Sequence, residues 1–170
     1  EIVKNGLSNV LYWGYYRMGI RDCRVNNFRK KATATQLSEA QRLFGRLEGP
    51  SVIQIKKLHL PQFSGLTFIS KVRMFLDPSN YVTLDLKLMK LREEDQQTIF
   101  HDVTLRSNAT TIPVTRTKEE FYERWCDLCR RITRENFDGT DVRAVDIERA
   151  IFYLVDTNQS ELATEILTGA

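Results

Sequence analysis

The sequence predicts an all-α fold, mainly of helices, in a single domain over residues 1–170. Apolar residues recur at intervals of three and four along most segments, as on one face of a helix. Capping residues and Gly- or Pro-containing turns separate these segments. A chain of 170 residues, 42% hydrophobic and 28% charged, can bury a core without disulfide or metal staples. Because the chain does not begin with Met, we expect a domain excised from a longer protein.

Charge and cysteine content bear on the partners and the compartment. A net charge of +3 and a pI near 8.8 permit nucleic-acid binding without demanding it. No apolar run is long enough to cross a bilayer, so no membrane partner is expected. The three cysteines are an odd and sparse set, typical of reduced thiols. We expect an intracellular protein, in the nucleus if eukaryotic and in the cytoplasm if bacterial.

Aromatic residues dominate the first helical segment, Leu7–Met18, in which Gly14 and Gly19 weaken the helical pattern. We expect its rings in the core, since clusters at this spacing are usually buried. Stacking on nucleobases is the alternative. The rings belong to Tyr12, Trp13, Tyr15 and Tyr16.

The next segment, residues 17–31, is strongly basic, with Asp22 as its one acid. A solvated helix face and a surface that follows nucleic-acid phosphates explain it equally well. Thr35 is then predicted to cap a helix that extends to Glu48 and stops at Gly49-Pro50. On the phosphate interpretation, the DNA-binding residues are Arg21, Arg24, Arg29, Lys30 and Lys31.

Residues 52–76 predict two helices joined by a hairpin. Pro61 excludes a continuous helix, and Ser64-Gly65 suit a sharp turn. Apolar spacing then predicts a second helix over Leu66–Leu76, which Pro78 ends. Free amides where the turn enters the helix can bind a phosphate, although an ordinary connection between packed helices has the same pattern.

The segment Val82–Leu91 alternates like a strand but also fits a helix with Asp85 in its first turn. Its leucine-rich composition favours the helix. Taken alone, Asp85 is best explained as a helix N-cap. A polar loop with a short extended piece follows over residues 92–116, where His101 is a surface residue or a substrate contact.

The C-terminal part predicts three helices. A capping box at Thr117–Glu120 begins the first, whose buried face includes Trp125 and Cys129. Asp141 or Asp146 caps the second. Ser160 caps the last, which runs from Glu161 to Leu167.

Several kinds of chemistry are excluded. The chain has no dinucleotide fingerprint, no phosphate-binding loop and no nucleophile elbow. Cys126 and Cys129 form a CxxC pair without a second pair, so no metal and no cofactor is predicted. Asp146 and Glu148 lie two residues apart and diverge on a helix, which makes them a poor acid–base pair. Asp85 is left as the catalytic candidate.

Three segments resemble the helix-hairpin-helix DNA glycosylase superfamily, and especially its 8-oxoguanine DNA glycosylase branch: the hairpin Leu60–Gly65, the helix ending Met74–Leu76, and Val82–Asp85. In that family a Leu-Pro-Gly-aliphatic-Gly hairpin is followed by a helix, a short turn and a catalytic Asp at the start of the next helix. Asp85 falls on that position. The resemblance implies a helical domain of the glycosylase type.

The chain departs from the family pattern at the hairpin and in the helix after it. Gln62 replaces the first hairpin glycine, and Ser64 or Gly65 stands for the second. Leu66 occupies the position of the lysine that forms a Schiff base in some members. Lys71, on a different face of the same helix, is the remaining candidate for that role.

The resemblance implies hydrolysis of the N-glycosidic bond of a flipped, damaged base in DNA. Asp85 would be the catalytic residue, and the enzyme would be monofunctional because of Leu66. DNA contacts would come from the hairpin, Gln62 to Gly65, and from Lys71 and Arg73. Two alternatives stay open: an inactive nucleic-acid-binding module, and a protein-interaction module whose basic segment meets an acidic partner.

Overall fold

The computed structural model describes residues 1–94, 98–106 and 108–169, so residues 95–97 and 107 of the predicted 92–116 loop lie outside the described residues. The described chain is mostly helical and contains no β-strand, which confirms the all-α prediction. None of its helices is long and apolar enough to cross a membrane. The helices are α1 (Ile2–Gly14), α2 (Arg21–Lys31), α3 (Ala34–Phe44), α4 (Val52–Lys57), α5 (Leu66–Leu76), α6 (Leu91–Glu94), α7 (Arg116–Asn136), α8 (Ala144–Asp156) and α9 (Ser160–Thr168), with 3₁₀ helices at Leu86–Lys90 and Ile99–Asp102.

One hydrophobic cluster runs from α1 to α9. Its centre lies along α7, where the face predicted from helical spacing is buried, including Trp125 and Cys129. Phe100 packs edge-on against Trp125, with ring centroids 5.0 Å apart. The long helix α7 therefore organises the core, against which α4 and α8 also pack.

Several helices begin earlier than the sequence predicted. Thr33, not Thr35, caps α3, because its side chain and that of Gln36 exchange hydrogen bonds with each other's amides. Thr115, not Thr117, caps α7. Each cap is the last residue with extended backbone angles, which is the geometry that an N-cap requires.

The C-terminal caps also differ from the prediction. Arg143 is the N-cap of α8, and Asp146 accepts a hydrogen bond from its backbone N–H at 3.0 Å. Ser160 is the first residue of α9, after the N-cap Gln159. The helix α3 ends at Phe44, so the predicted extension to Glu48 is wrong.

The first aromatic cluster is not buried as expected. Tyr12, Trp13 and Tyr16 are exposed, and Tyr15 is half-buried against Phe68, with ring centroids 4.5 Å apart. Tyr12 and Trp13 lie on an exposed face at the end of α1, and Tyr16 lies on the turn that follows Gly14. The core interpretation is therefore wrong for most of this cluster.

The predicted hairpin connects α4 and α5 and contains two unusual positions. Gln62 has a φ of 71°, a left-handed conformation that favours glycine. Gly65 has an ordinary φ, but a Cβ there would lie 2.2 Å from Thr111 Oγ1. This close approach arises because the extended piece of the following loop pairs with the hairpin: Leu66 N–H donates to Ile112 O at 2.8 Å.

The segment Val82–Leu84 is buried outside any helix or strand, and side chains satisfy its backbone. Tyr122 Oη donates to Val82 O at 2.9 Å, and Trp125 Nε1 donates to Thr83 O at 3.0 Å. On the other side, Leu84 N–H donates to Ser70 Oγ at 3.0 Å. Helices α5 and α7 thus hold this segment between them.

Asp85 follows the pinned segment and begins a 3₁₀ helix instead of the predicted α-helix. Its Oδ1 accepts a hydrogen bond from Lys87 N–H at 3.2 Å, which makes it the N-cap of Leu86–Lys90. The predicted N-cap role of Asp85 is confirmed.

Two substitutions test the hairpin. Gln62→Gly should raise the free energy of unfolding by about 1 kcal/mol, because glycine adopts the left-handed conformation without strain. Gly65→Ala should lower it by about 1 kcal/mol, because Thr111 must turn to a poorer rotamer. Urea unfolding measures both changes. A loss of stability in Gln62→Gly would contradict the strained geometry.

Candidate active site

The candidate site is a cleft of about 720 Å³ between the end of α1, α5, the segment around Asp85, and α8. This volume suits a small-molecule or nucleotide ligand. The cleft is lined by Trp13, Gly14, Tyr16, Arg17, Met18, Lys71, Thr83, Asp85, Lys87, Glu148, Arg149, Phe152, Tyr153 and Asp156.

The structure brings the two predicted catalytic residues together on the floor of this cleft. Lys71 Nζ lies 3.3 Å from Asp85 Oδ2 and 3.5 Å from Thr67 O. The lysine side chain is 6% exposed, whereas that of Asp85 is 30% exposed. Asp85 thus presents a carboxylate to the cleft while a buried amine holds it from behind.

Gly14 makes room for this lysine at the end of α1. A Cβ at residue 14 would lie 2.5 Å from Phe68 Cε1 and 3.2 Å from Lys71 Cδ. The amine also lies over two aromatic rings, 5.9 Å from the centroid of Trp13 and 5.4 Å from that of Phe68. Such contacts stabilise a cation that has little access to water.

A second carboxylate, Glu148, lies in the cleft, and sequence reasoning missed it. It projects from α8 and is 3% exposed, and it accepts a hydrogen bond from Thr83 Oγ1 at 2.6 Å. Burial raises its pKa to about 7, although the bond from Thr83 and the charge of Lys71 act to lower it. Glu148 therefore exchanges a proton near neutral pH.

A sequence signal for Glu148 existed. The buried face of α8 includes Ala144, Ile151 and Val155, and Glu148 falls four residues after the first and three before the second. A carboxylate at such a position needs a partner inside the protein. The comparison of Glu148 with Asp146 alone obscured this.

Ion pairs gather at the edge of the cleft. Asp156 pairs with Lys87 and lies 3.7 Å from Arg17. The hydrogen bond from Lys87 lowers the pKa of Asp156. On the same helix, Asp146 pairs with Arg143 at 3.0 Å and lies 4.0 Å from Arg149.

The predicted DNA contacts of the hairpin are only partly accessible. The Phe63 ring is buried against Phe28, and its amide donates to Leu60 O at 3.1 Å. This leaves Ser64 and Gly65 as the predicted phosphate donors. Gln62 accepts a hydrogen bond from Arg24 at 3.2 Å, so one residue of the basic segment does lie beside the hairpin.

Arg73 is not accessible to a phosphate. The residue is 3% exposed, and its guanidinium stacks over Tyr81, 3.8 Å from the ring centroid. It also pairs with Glu123, which joins α5 to α7. Its role in this structure is to hold two helices together.

The other basic candidates on α2 do not line the cleft. Arg29 bonds to Asn5 at 2.9 Å and to Ser8 at 3.1 Å, which ties α2 to α1. Arg21 pairs with its neighbour Asp22 at 2.9 Å. Lys30 and Lys31 are exposed at the end of α2.

The CxxC pair belongs to the core. Burial raises the pKa of Cys126 to about 11 and raises that of Cys129 as well. Among the described residues, no three His, Cys, Asp or Glu side chains come together as metal ligands. These thiols are packing residues in α7.

The protonation of Glu148 makes stability depend on pH. The pKa is near 7 in the folded protein and near 4.5 when the residue is exposed. Between these values the folded state binds more protons, so the free energy of unfolding falls as pH rises through this window. Glu148→Gln keeps an acceptor for Thr83 but cannot ionise. We expect it to gain on the order of 3 kcal/mol over the wild type between pH 4 and pH 8.

Chemical unfolding at several pH values measures this difference. Glu165→Gln, which changes an exposed glutamate on α9, is the matched control and should follow the wild type. If the free energies of unfolding of wild type and Glu148→Gln change with pH in parallel, burial does not raise the pKa of Glu148.

Comparison with known proteins does not assign this arrangement to a family. No family model, curated protein or solved structure matches the chain. The function of the cleft is therefore inferred from its geometry, in which a buried amine lies near two carboxylates.

Proposed function

We propose that this chain is a DNA glycosylase-like enzyme that hydrolyses the N-glycosidic bond of a flipped, damaged base. The observation that carries the proposal is the Asp85 carboxylate, held 3.3 Å from the buried Lys71 amine on the floor of a cleft of about 720 Å³. The hairpin adds support. Gln62 replaces the family's first hairpin glycine, and it adopts the left-handed conformation that glycine favours.

Asp85 would act on the sugar. As the bond between C1′ and the base nitrogen lengthens, the sugar gains positive charge, which a fixed carboxylate stabilises. Lys71 is a positioning residue in this scheme, because it reaches Asp85 Oδ2 from the buried side. The pair is only partly exposed, so bulk water screens the carboxylate less than at an open surface.

Glu148 would be the general acid that protonates the leaving base. Since it holds a proton close to neutral pH, it can donate that proton to the departing nitrogen. Water then forms the new bond to C1′ and gives its proton to Asp85. One bond breaks, one forms, and both protons have an acceptor.

A second function is favoured by a specific observation. Both oxygens of Asp85 already have partners, Lys87 N–H on one and Lys71 Nζ on the other. A carboxylate engaged in this way can be purely structural. The protein would then be an inactive module that binds nucleic acid on the same fold.

A base-excision assay separates the two functions. Duplex and single-stranded oligonucleotides with a panel of damaged bases are incubated with protein, and abasic sites are cleaved by alkali. Asp85→Asn should reduce excision at least about 100-fold, as expected for the loss of a charge beside the reacting centre.

The matched control is Asp102→Asn, which changes an exposed aspartate paired with Arg124 and should leave excision unchanged. Equal excision by wild type and Asp85→Asn would remove Asp85 from the mechanism. DNA binding with no excision of any lesion would support the inactive module.

Borohydride reduction tests the monofunctional character. Leu66 stands where some family members have a nucleophilic lysine, so we expect no trapped protein–DNA adduct. An adduct that persists in Lys57→Met, which changes an exposed lysine outside the cleft, and vanishes in Lys71→Met would contradict this prediction. It would make the buried Lys71 amine the nucleophile.

A further inference from the structure

Exposed aromatic rings surround the opening of the cleft on two sides. Trp13 is 40% exposed and Tyr16 is 66% exposed at the end of α1, and Tyr153 on α8 is 64% exposed. We call these three residues, with Arg17, Lys87 and Arg149, the cleft mouth; all six line the cleft. Large rings left in water at a cavity indicate a binding surface.

The tryptophan of the cleft mouth is held in place. Its ring packs edge-on against Phe75, with centroids 5.4 Å apart and planes at 90°. Phe75 itself is 48% exposed. A ring fixed before binding loses little conformational entropy when a ligand stacks on it.

Cations outnumber acids at the cleft mouth. Arg17 and Lys87 share one carboxylate, that of Asp156. Arg149 shares the carboxylate of Asp146 with Arg143. Asp156 and Asp146 are therefore each opposed by two cations, and Lys71 opposes Asp85 inside the cleft, which leaves positive charge beside the aromatic rings. Aromatic faces next to a positive groove are the combination that binds unpaired nucleotides.

We propose that the cleft mouth binds single-stranded nucleic acid, with bases stacked on Trp13, Tyr16 and Tyr153 and phosphates paired with Arg17, Lys87 and Arg149. In a duplex the bases stack on each other and have no free faces for these rings. The inference rests on the proposed function for the nucleotide inside the cleft. It adds that the nucleotides on either side are unpaired.

Intrinsic fluorescence tests the proposal directly. The chain has 2 tryptophans, and Trp125 is fully buried in the core, so quenching by an added oligonucleotide reports on Trp13. We expect a 12-nucleotide oligothymidylate to quench the emission. It should bind at least about ten times more tightly than a 12-base-pair duplex, with an affinity that falls as salt is raised.

Tyr16→Ala and Tyr153→Ala should each weaken oligothymidylate binding by about 5- to 150-fold, the range found for one stacked base. Phe137→Ala is the matched control, because Phe137 is an exposed aromatic residue that does not line the cleft. Circular dichroism checks that all three variants are folded.

Three results would overturn the proposal: equal affinity for single strand and duplex, tyrosine variants that bind like Phe137→Ala, or no quenching. Absence of quenching together with dimerisation in sedimentation that Tyr153→Ala weakens would assign the cleft mouth to a second copy of the chain. Single-strand binding without base excision would overturn the proposed enzyme and leave this inference intact. Excision by a protein that binds single strand and duplex equally well would overturn this inference and leave the proposed enzyme intact.

Discussion

The fold depends on how it satisfies the backbone of one buried segment. Val82, Thr83 and Leu84 are buried but belong to no helix or sheet, so their polar backbone groups need partners from elsewhere. Side chains of α5 and α7 supply them through Ser70, Tyr122 and Trp125. Helices α5, α7 and α8 are fixed relative to each other by this arrangement, because Thr83 also bonds to Glu148 of α8.

The same segment explains why charged groups come together in the cleft. Asp85 emerges directly from the pinned residues, and Lys71 follows Ser70 on α5. Since Ser70 is bonded to Leu84, the next residue of each segment meets the other: the amine of Lys71 reaches the carboxylate of Asp85. The hydrogen bond from Leu84 N–H to the Ser70 hydroxyl thus brings the two members of the ion pair together.

Local patterns in the sequence were enough to predict the helices and the hairpin. They could not predict features that depend on contacts between distant segments. Helical spacing located α5 and α7, and Pro61 with Gly65 located the turn. Caps shifted by two residues because several threonines lie close together and only backbone geometry selects among them.

Arg73 and Trp13 show most clearly what local sequence patterns cannot predict. A basic residue in the helix after the hairpin suggests a phosphate contact. Arg73 is instead buried and pairs with Glu123, 50 residues later in the sequence. An aromatic cluster suggests a core, yet Tyr12 and Trp13 are exposed on the last turn of α1 and Tyr16 is exposed after it. Glu148 lay on a predictable buried face, but its partner Thr83 is 65 residues away in sequence. Such partners follow from the packing of α8 on the pinned segment, which no local pattern contains.

Under the proposed function, Glu148 places folding and chemistry in competition. Near neutral pH an amide at residue 148 would suit the folded state better than a carboxylate that must lose its hydration on ionising. Selection for heat resistance alone would therefore replace this side chain and discard the proton that the proposed reaction uses. A thermostable variant obtained in that way would fold well but would lack the proton donor of the proposed reaction.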